Sequence, residues 1–337
     1  MAGDSLLTSE LAKLQRLAEK SLEAWGLSAE LQLIKHRENA VYRVQTTQGQ
    51  KYALRVHRSN YHTDASLRSE LAWMQALDQA GIGVPKPVPT VQGELFAVVS
   101  IDELPEPRQV DLLTWVDGEQ LGSVEDGLGD NAAEIDHIYR EIGRVAASVH
   151  NQATQWRVPA NFERHAWDAD GLVGDNPFWG RFWELTALTD EQRALLLDAR
   201  EKVRRDLDAF GRSPDEYSLI HADFVPENFL IDGHKVSIID FDDAGFGWHL
   251  FEIATALYFI QDDPHFEQAK NALIEGYREC RPLSDQQLAQ LPLSMAARSF
   301  TYLGWVHTRS ETQTAAEMTP VLVDMCFKAV NSYLNWR

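Results

Sequence analysis

Carboxylates and one asparagine crowd the segment from residue 219 to 247, LIHADFVPENFLIDGHKVSIIDFDDAGFG. Two β-rich runs in this segment flank Asp232-Gly233, and an Asp-Gly pair between such runs predicts a hairpin turn. Because a hairpin returns the chain to its starting edge, we expect Asp223, Asn228 and Asp240 to converge in space. Asp and Asn oxygens are hard ligands suited to Mg²⁺, and a further carboxylate can accept a proton from a hydroxyl.

This combination of residues is typical of phosphoryl transfer, in which metal ions neutralise phosphate charge and a carboxylate orients the nucleophile. The spacing from His221 through Asp223 to Asn228 matches the protein-kinase loop H-R-D-x-x-x-x-N, and Asp240 stands where the Asp of D-F-G would follow. We therefore predict that Asp223 is the catalytic base and that Asn228 and Asp240 bind Mg²⁺. His221 is predicted to brace the loop, and a solvated acidic loop is the alternative for the whole cluster.

A kinase-type site requires a nucleotide-binding half earlier in the chain. The tetrapeptide Tyr-Ala-Leu-Arg that ends at Arg55 lies on a predicted strand where V-A-I-K would be expected, so Arg55 supplies a cation that could reach ATP phosphates. Glu70 lies in the following predicted helix and is the candidate ion-pair partner of Arg55. Taken separately, these two residues would favour a routine surface pair; their order and their elements favour the phosphate-binding role.

With these residues in place, the chain resembles the aminoglycoside phosphotransferase/choline kinase family, the small-molecule branch of the protein-kinase-like fold. HADFVPENFL resembles the family's HxDxxxxN loop, VSIIDFDDAGFG its metal segment, and GRVAASVH the helix before the catalytic loop. LLTWVDGEQL resembles the linker between the two lobes of the family, which implies that backbone groups of Trp115 and Val116 meet the adenine.

The fold expected from this resemblance and from the element pattern is a bilobal, kinase-like α+β fold. Residues 1–116 would form an N-terminal antiparallel sheet lobe that binds the nucleotide, and residues 117–337 a larger, mainly helical lobe for catalysis and substrate binding. Periodicity predicts the elements that position the site. They are helices over 5–25, 66–81, 131–150 and 189–209, three strands between 31 and 56, strands before residue 100 and over 108–121, and mostly helix from about 250 onward.

A helix later in the chain indicates which subgroups of the family this sequence resembles. Residues 291–309, LPLSMAARSFTYLGWVHTR, resemble a helix of the type II homoserine kinase and bacterial stress-response kinase subgroups. Arg298, Tyr302 and Trp305 share one helical face at steps of four and three residues. The resemblance implies that this face borders the acceptor, whereas core packing is the alternative for Tyr302 and Trp305.

Two positions depart from the family pattern. The stretch from 36 to 44, where a phosphate-covering loop belongs, has no glycine, so the close backbone approach of a G-x-G-x-x-G loop is missing. Glu252 stands where relatives commonly carry the Asp of an Asp-Leu-Ala segment, and ion pairing at this position is either preserved or altered. For Asp242 and Asp243 the sequence leaves two alternatives: they support the site residues, or they lie on the exposed surface.

Composition limits the partners of this chain. Its 337 residues carry a formal net charge of −20, which argues against a general affinity for nucleic acid or an anionic membrane and mildly favours cationic ligands. Two cysteines without paired spacing predict neither a disulfide framework nor a structural zinc site. The charged, helix-patterned start shows no secretory signal and the apolar runs are too short to span a bilayer, so a soluble cytoplasmic protein is expected.

The sequence thus predicts an enzyme that uses ATP and Mg²⁺ to phosphorylate a hydroxyl of a small molecule. The acceptor would be an amino alcohol, a homoserine-like or choline-like compound, or an aminoglycoside. A Ser/Thr protein kinase of the stress-response type and a catalytically silent nucleotide-binding protein on the same fold are the alternatives. No pattern in the sequence indicates an oligomeric state.

Overall fold

The computed structural model describes residues 2–36, 39–122, 127–233 and 235–336, with side chains from residue 10 onward. Arg37 and Glu38, in the stretch where a phosphate-covering loop belongs, lie outside the described residues, and so does His234 beside the predicted hairpin turn. None of the described helices combines the length and the apolar character that a membrane crossing requires.

Helices and strands alternate early in the chain, and helices dominate late in it. The helices are α1 (Ala2–Ser21), α2 (Asp64–Gln79), α3 (Ala132–Gln155), α4 (Ala169–Val173), α5 (Asp190–Phe210), α6 (His249–Tyr258), α7 (Phe266–Cys280), α8 (Asp285–Leu288), α9 (Leu291–Thr308) and α10 (Gln313–Asn335). The strands are β1 (Ala29–His36), β2 (Ala40–Thr46), β3 (Lys51–Val56), β4 (Phe96–Val99), β5 (Arg108–Thr114), β6 (Glu119–Gln120), β7 (Ala166–Trp167), β8 (Tyr217–Ile220), β9 (Phe229–Asp232), β10 (Lys235–Ile238) and β11 (Gly245–Trp248). The α+β class that the sequence predicts is confirmed.

The strand predicted over 108–121 is divided, which differs from the expectation. It ends as β5 at Thr114 and resumes as the two-residue β6, because the chain turns at Gly118, whose φ is 138°. On either side of the predicted Asp232-Gly233 turn the structure has the expected strands β9 and β10, and Gly233 adopts a φ of 60°.

The described residues form two compact units. One contains Met1–Gly118, Val158–Glu163 and Asp232–Ile239, and the other contains Glu119–Arg157, Arg164–Ile231 and Asp240–Arg337. The first unit is built on a five-stranded sheet in the order β1-β2-β3-β5-β4, with neighbouring strands antiparallel. Its core buries Leu14 and Leu17 of α1 with Tyr42 and Val44 of β2, so the apolar face of α1 covers the sheet.

In the second unit, a small sheet in the order β7-β11-β8 positions the segments around Asp223 and Asp240. Strands β8 and β11 are antiparallel, with Ile220 opposite Gly245. The residues that follow β8 and those that precede β11 therefore emerge at the same edge. Gly245 is needed for this approach, because a Cβ there would lie 2.6 Å from the carbonyl oxygen of His165.

Helices α3 and α7 of the second unit pack backbone against backbone at two glycines. A Cβ on Gly143 would lie 2.0 Å from the carbonyl oxygen of Leu273, and a Cβ on Gly276 would lie 2.0 Å from that of Arg140. Both carbonyls belong to helix backbone and cannot rotate away. The interaxial distance of this helix pair therefore depends on the absence of these two side chains.

We predict that Gly143→Ala and Gly276→Ala each destabilise the protein by about 1–3 kcal/mol, because one added methyl group overpacks the α3–α7 contact. The melting temperature of each purified variant measures the effect. Gly122→Ala is the matched control, because a Cβ at this position would have its nearest neighbour, Pro226 Cβ, at 3.9 Å. Equal melting temperatures for all three variants would contradict the packing argument.

Candidate active site

The loop that carries Asp223 follows β8 directly and is held by a buried carboxylate of α6. Glu252 is fully buried, and its two oxygens accept hydrogen bonds from the backbone N–H groups of His221 (2.8 Å) and Ala222 (2.7 Å). Ala222 has a φ of 66°, a left-handed conformation that is uncommon for a residue with a Cβ. Strained backbone of this kind persists only where the surrounding structure enforces it. Glu252 supplies that enforcement and thereby directs residue 223 out of the loop.

The surroundings of Glu252 balance its charge. Burial raises the pKa of Glu252, whereas His221, the two backbone amides and Arg298 act in the opposite direction. His150, at the end of the GRVAASVH segment, lies with Nε2 3.7 Å from Glu252 Oε1 and donates to or accepts from the Tyr277 hydroxyl through Nδ1 (2.9 Å). Burial, with a smaller effect of Arg281, lowers the pKa of His150 well below 6.5, so His150 is neutral at pH 7.

The Asp223 carboxylate is held at both oxygens. Its Oδ2 accepts a hydrogen bond from Asn228 Nδ2 (2.8 Å), and its Oδ1 lies 3.3 Å from Arg298 Nη2. The same Asn228 nitrogen also donates to the Asp223 carbonyl at 2.9 Å. The side chain of Asp223 remains 25% exposed, so it is fixed in direction and still accessible to a second molecule.

The segment that begins at Asp240 contacts the Asp223 loop through aromatic packing. The Phe241 ring lies 4.6 Å from the His221 ring in an edge-on arrangement, which agrees with a bracing role for His221. Asp240 is exposed and has a φ of 66°, the same left-handed region as Ala222. Two of the three described non-glycine residues with positive φ thus flank or form the predicted site.

Side chains of residues 164–167 hold the backbone that follows Asp240. The Arg164 guanidinium donates to the carbonyls of Asp242 (2.5 Å) and Ala244 (2.5 Å). The Asp243 carbonyl bonds His165 Nε2 at 3.0 Å and accepts from Trp167 Nε1 at 2.8 Å. Asp242 is buried, so of the two alternatives left open for it, exposed surface does not apply.

Arg55 lies at the centre of a buried charge cluster in the first unit. Its Nη2 donates to Glu70 Oε1 (2.8 Å), which confirms the predicted pair, and to Asp111 Oδ2 (2.7 Å), while its Nε donates to Asp111 Oδ1 (2.9 Å). His57 Nε2 lies 2.7 Å from Asp111 Oδ2, so its N–H donates to the carboxylate. Burial by itself would raise the pKa of Asp111, but Arg55 and His57 together lower it to about 2.

The remaining predicted site residues lie directly after β5 and on α9. Trp115 and Val116 follow β5 in an irregular, half-buried connection. Arg298 and Tyr302 are both buried on one face of α9, and Arg298 Nη2 bonds the Tyr302 hydroxyl at 2.8 Å. Trp305, one turn later, is half-buried under the Arg309 guanidinium at 5.1 Å.

Sequence reasoning missed Asp111, His57 and Arg164. A carboxylate between Val110 and Leu112 in an apolar strand was a usable signal, because a charge in such a position requires a buried partner. Which partner it meets depends on the β3–β5 register, which pairs Arg55 with Asp111. Arg164 carries no comparable signal, because it binds backbone carbonyls that any sequence would offer.

We predict a pH dependence from Asp111. Its folded pKa is lowered from 3.8 to about 2, so its contribution to stability is complete above pH 3.8 and is lost as the pH falls through about 2. As the pH falls across this window, the protection factors of the amides in β3, β5 and α2 should therefore decrease. The decrease should correspond to on the order of 2 kcal/mol. Asp111→Asn should be less protected near neutral pH and show a flatter profile; an unchanged profile in this variant would assign the acid sensitivity to another group.

We predict that Glu252→Gln lowers both stability and turnover. The amide places an N–H₂ group against one of the two buried backbone N–H donors, and an unsatisfied buried donor costs about 1–3 kcal/mol. The melting temperature should fall by a few degrees. Turnover should fall more steeply, because Asp223 loses its direction. Glu201→Gln on the exposed face of α5 is the control, and an E252Q variant that matches it in both measurements would refute the anchoring role.

The chain is similar to known proteins both in sequence and in fold. A model of the phosphotransferase enzyme family matches residues 30–283. A homoserine kinase of Rhizobium rhizogenes (strain K84 / ATCC BAA-868) is 30% identical over 232 residues, which cover 66% of this chain and 63% of that protein. The structure of the microcompartment-associated aminopropanol kinase superposes with a TM-score of 0.83 at 30% identity and covers 96% of this chain and 99% of that one.

A more distant structure, the amicoumacin kinase hAmiN in complex with AMP-PNP, Ca²⁺ and Ami, shares the fold with a TM-score of 0.75 at 20% identity and covers 94% of this chain and 93% of that one. The kinase-like fold and the family resemblance that the sequence predicts are both confirmed by these matches. The chain therefore belongs to the phosphotransferase enzyme family, and it is a kinase with an alcohol group as acceptor.

Proposed function

We propose that this protein transfers the γ-phosphoryl group of ATP, in the presence of Mg²⁺, to the hydroxyl of a small amino alcohol. One observation carries this proposal. The Asp223 carboxylate is held at one oxygen by Asn228 and at the other by Arg298, and it keeps a quarter of its surface exposed. A carboxylate that is fixed in direction and accessible is what a kinase requires to receive an acceptor hydroxyl.

Asp223 is the proposed base of the reaction. The acceptor hydroxyl donates a hydrogen bond to its carboxylate, which orients the hydroxyl oxygen toward the γ-phosphorus. As the new O–P bond forms, the bond from the γ-phosphorus to the bridging oxygen of ADP breaks and the hydroxyl proton passes to Asp223. ADP then leaves with the bridging oxygen, and solvent removes the proton from Asp223. This orientation accounts for a large part of the expected rate, because phosphoryl transfer depends mainly on positioning and charge stabilisation.

Asn228 and Asp240 are the proposed Mg²⁺ ligands, and the residues present fit that ion. The amide nitrogen of Asn228 is committed to two acceptors of Asp223, which leaves the amide oxygen as the atom that can bind a cation. Asp240 adds an exposed carboxylate in a strained loop. One amide oxygen and one carboxylate are the hard donors that Mg²⁺ prefers when phosphates complete its coordination. The bound ion would neutralise phosphate charge.

The first unit holds the proposed nucleotide contacts. Arg55, positioned by Glu70 and Asp111, would bind phosphates, and backbone groups of Trp115 and Val116 would meet the adenine. The complex of amicoumacin kinase with AMP-PNP and Ca²⁺ supports an ATP-type donor and a divalent metal for a chain of this fold. The proposed division of labour is nucleotide binding in residues 1–116 and catalysis with acceptor binding in residues 117–337.

A small amino alcohol is the proposed acceptor. Aminopropanol and homoserine both combine a hydroxyl with an amino group, and kinases named for them are each 30% identical to this chain. The net charge of −20 suits an acceptor that carries an ammonium group. The face of α9 that carries Arg298, Tyr302 and Trp305 is the proposed border of the acceptor site, since Arg298 already contacts Asp223.

The experiment measures ATP consumption with Mg²⁺ across 1-amino-2-propanol, homoserine, choline, an aminoglycoside and a Ser/Thr-containing protein. We expect turnover with one of the first two compounds. Asp223→Asn should lower it by about 10²–10⁴-fold, the range for loss of a general base, with Mg·ATP still raising the melting temperature. Asp240→Ala should weaken that thermal stabilisation as well as turnover.

The matched control is Asp232→Asn, the same change at the exposed last residue of β9. It should leave both readouts at the wild-type level. Wild-type turnover in the purified Asp223→Asn variant would overturn the assignment of the base. Turnover with the Ser/Thr-containing protein and with none of the small acceptors would favour a Ser/Thr protein kinase. Nucleotide binding without turnover of any acceptor would favour a catalytically silent protein.

A further inference from the structure

Arg298 is a buried cation enclosed by aromatic rings next to Asp223. It has no exposed surface, and its Cζ lies 4.3 Å from the ring centre of Tyr302, 5.0 Å from that of Trp179 and 5.4 Å from that of Phe251. All four residues belong to the second unit. Ring faces attract a guanidinium, but they do not replace the hydrogen bonds that it loses on leaving water.

The hydrogen bonds of Arg298 all converge on one nitrogen. Nη2 contacts Asp223 Oδ1 (3.3 Å) and the Tyr302 hydroxyl (2.8 Å), whereas Nε and Nη1 have no hydrogen-bond partner among the described residues. A buried guanidinium with unmatched donors is expensive for the fold, so stability does not account for it. Its contact with the Asp223 carboxylate does explain why an arginine occupies this position.

We infer that Arg298 is a positioning residue that acts through Asp223: it fixes the orientation of the carboxylate at Oδ1 for the acceptor hydroxyl. The inference rests on the proposed role of Asp223 and extends it. Asn228 holds Oδ2 from within the same loop, and Arg298 holds Oδ1 from α9. The two contacts together leave the carboxylate plane a single orientation, which neither contact alone would define.

Burial decides between this role and direct acceptor binding. A side chain without exposed surface contacts its neighbours alone, and among the polar groups those neighbours are Asp223 and the Tyr302 hydroxyl. Tyr302 is itself packed between Tyr258 at 4.9 Å and Phe259 at 4.8 Å, measured between ring centres. The aromatic surround therefore holds the guanidinium in place and turns Nη2 toward Asp223.

Several other charged or titratable groups face this pair. His221 lies in the same loop as Asp223. The charge of Arg298 acts to lower the pKa of Glu252 on α6, and the charge of Glu227, beside Asn228, acts to raise the pKa of Tyr302. Burial raises the pKa of Tyr302 far above its ordinary value, with Arg298 opposing, so its hydroxyl stays neutral at the pH of the assay. Arg298 contacts Asp223 Oδ1 directly, so its removal takes away the contact from α9 that fixes this oxygen.

The test compares Arg298→Met and Arg298→Lys with the wild type, using full-length enzyme and the amino alcohol identified as acceptor. Arg298→Met should lower kcat by about 10–100-fold, the effect of a misplaced catalytic group, with the KM for ATP nearly unchanged. Arg298→Lys keeps a cation that can donate to Asp223 Oδ1 but lacks the fixed geometry of the guanidinium, so it should restore kcat to an intermediate value.

Stability supplies a readout that a purely structural residue would not share. Met fills the aromatic surround and removes the unmatched donors, and water can solvate the partly exposed Asp223, so the melting temperature of Arg298→Met should equal or exceed that of wild type. Arg200→Met is the matched control. Arg200 is also largely buried, lies 4.4 Å from the Trp183 ring and pairs with Asp175, but is on α5. It should leave kcat and the KM for ATP unchanged.

A double-mutant cycle separates the two possible routes of action. If Arg298 works through Asp223, Arg298→Met has no further effect on the residual rate of Asp223→Asn. An equal loss in both backgrounds would mean that Arg298 contacts the substrate itself and would overturn the inference. Wild-type kcat in Arg298→Met would also overturn it. If Arg298→Met fails to fold, the kcat of Arg298→Lys in the same two backgrounds decides. Full activity of Asp223→Asn would instead defeat the proposed base, independently of Arg298.

Discussion

The second unit depends on one buried interaction, the Glu252 carboxylate that accepts the backbone N–H groups of His221 and Ala222. These two bonds hold Ala222 in the left-handed conformation, and that conformation sends Asp223 away from its own strand. Without them, the loop would relax to an ordinary extended path and Asp223 would lose its contacts with Asn228 and Arg298. A single fully buried acid thus sets the direction of the group proposed to receive the acceptor.

Buried cations serve the same purpose in both units. Arg55 is bound by two carboxylates in the first unit, and Arg298 contacts Asp223 in the second. Two nitrogens of Arg55 bind the two oxygens of Asp111, whereas a single nitrogen of Arg298 contacts one oxygen of Asp223. Buried ion pairs of this kind add little net stability, so their value lies in geometry.

Strained backbone and close backbone contacts occur around the proposed catalytic and metal-binding residues. Ala222 and Asp240 both have positive φ without being glycine, and Gly245 allows β11 to pass the His165 carbonyl. Arg164, His165 and Trp167 hold the carbonyls between Asp240 and Gly245. Side chains thus bind the backbone carbonyls of this loop, just as side chains bind both oxygens of the Asp223 carboxylate.

Several parts of this arrangement could be predicted from the sequence. The spacing of Asp223, Asn228 and Asp240 reflects a local loop and a short strand pair, both set by neighbouring residues. The common face of Arg298 and Tyr302 follows from helical periodicity alone. The expectation that a hairpin joins the two acidic segments was incomplete, because β8 and β11 also pair across 24 intervening residues, from Ile220 to Gly245.

The sequence by itself determined the kinase-like fold, the residues of the loop and the ion pair of Arg55 with Glu70, because these follow from patterns within short stretches of chain. The tertiary structure alone decided that Asp111 shares Arg55, that Glu252 holds Ala222 and that Arg298 contacts Asp223. Each of these contacts joins residues at least 30 positions apart. Strand register and helix packing decide such pairs, and both depend on the whole core rather than on any local pattern.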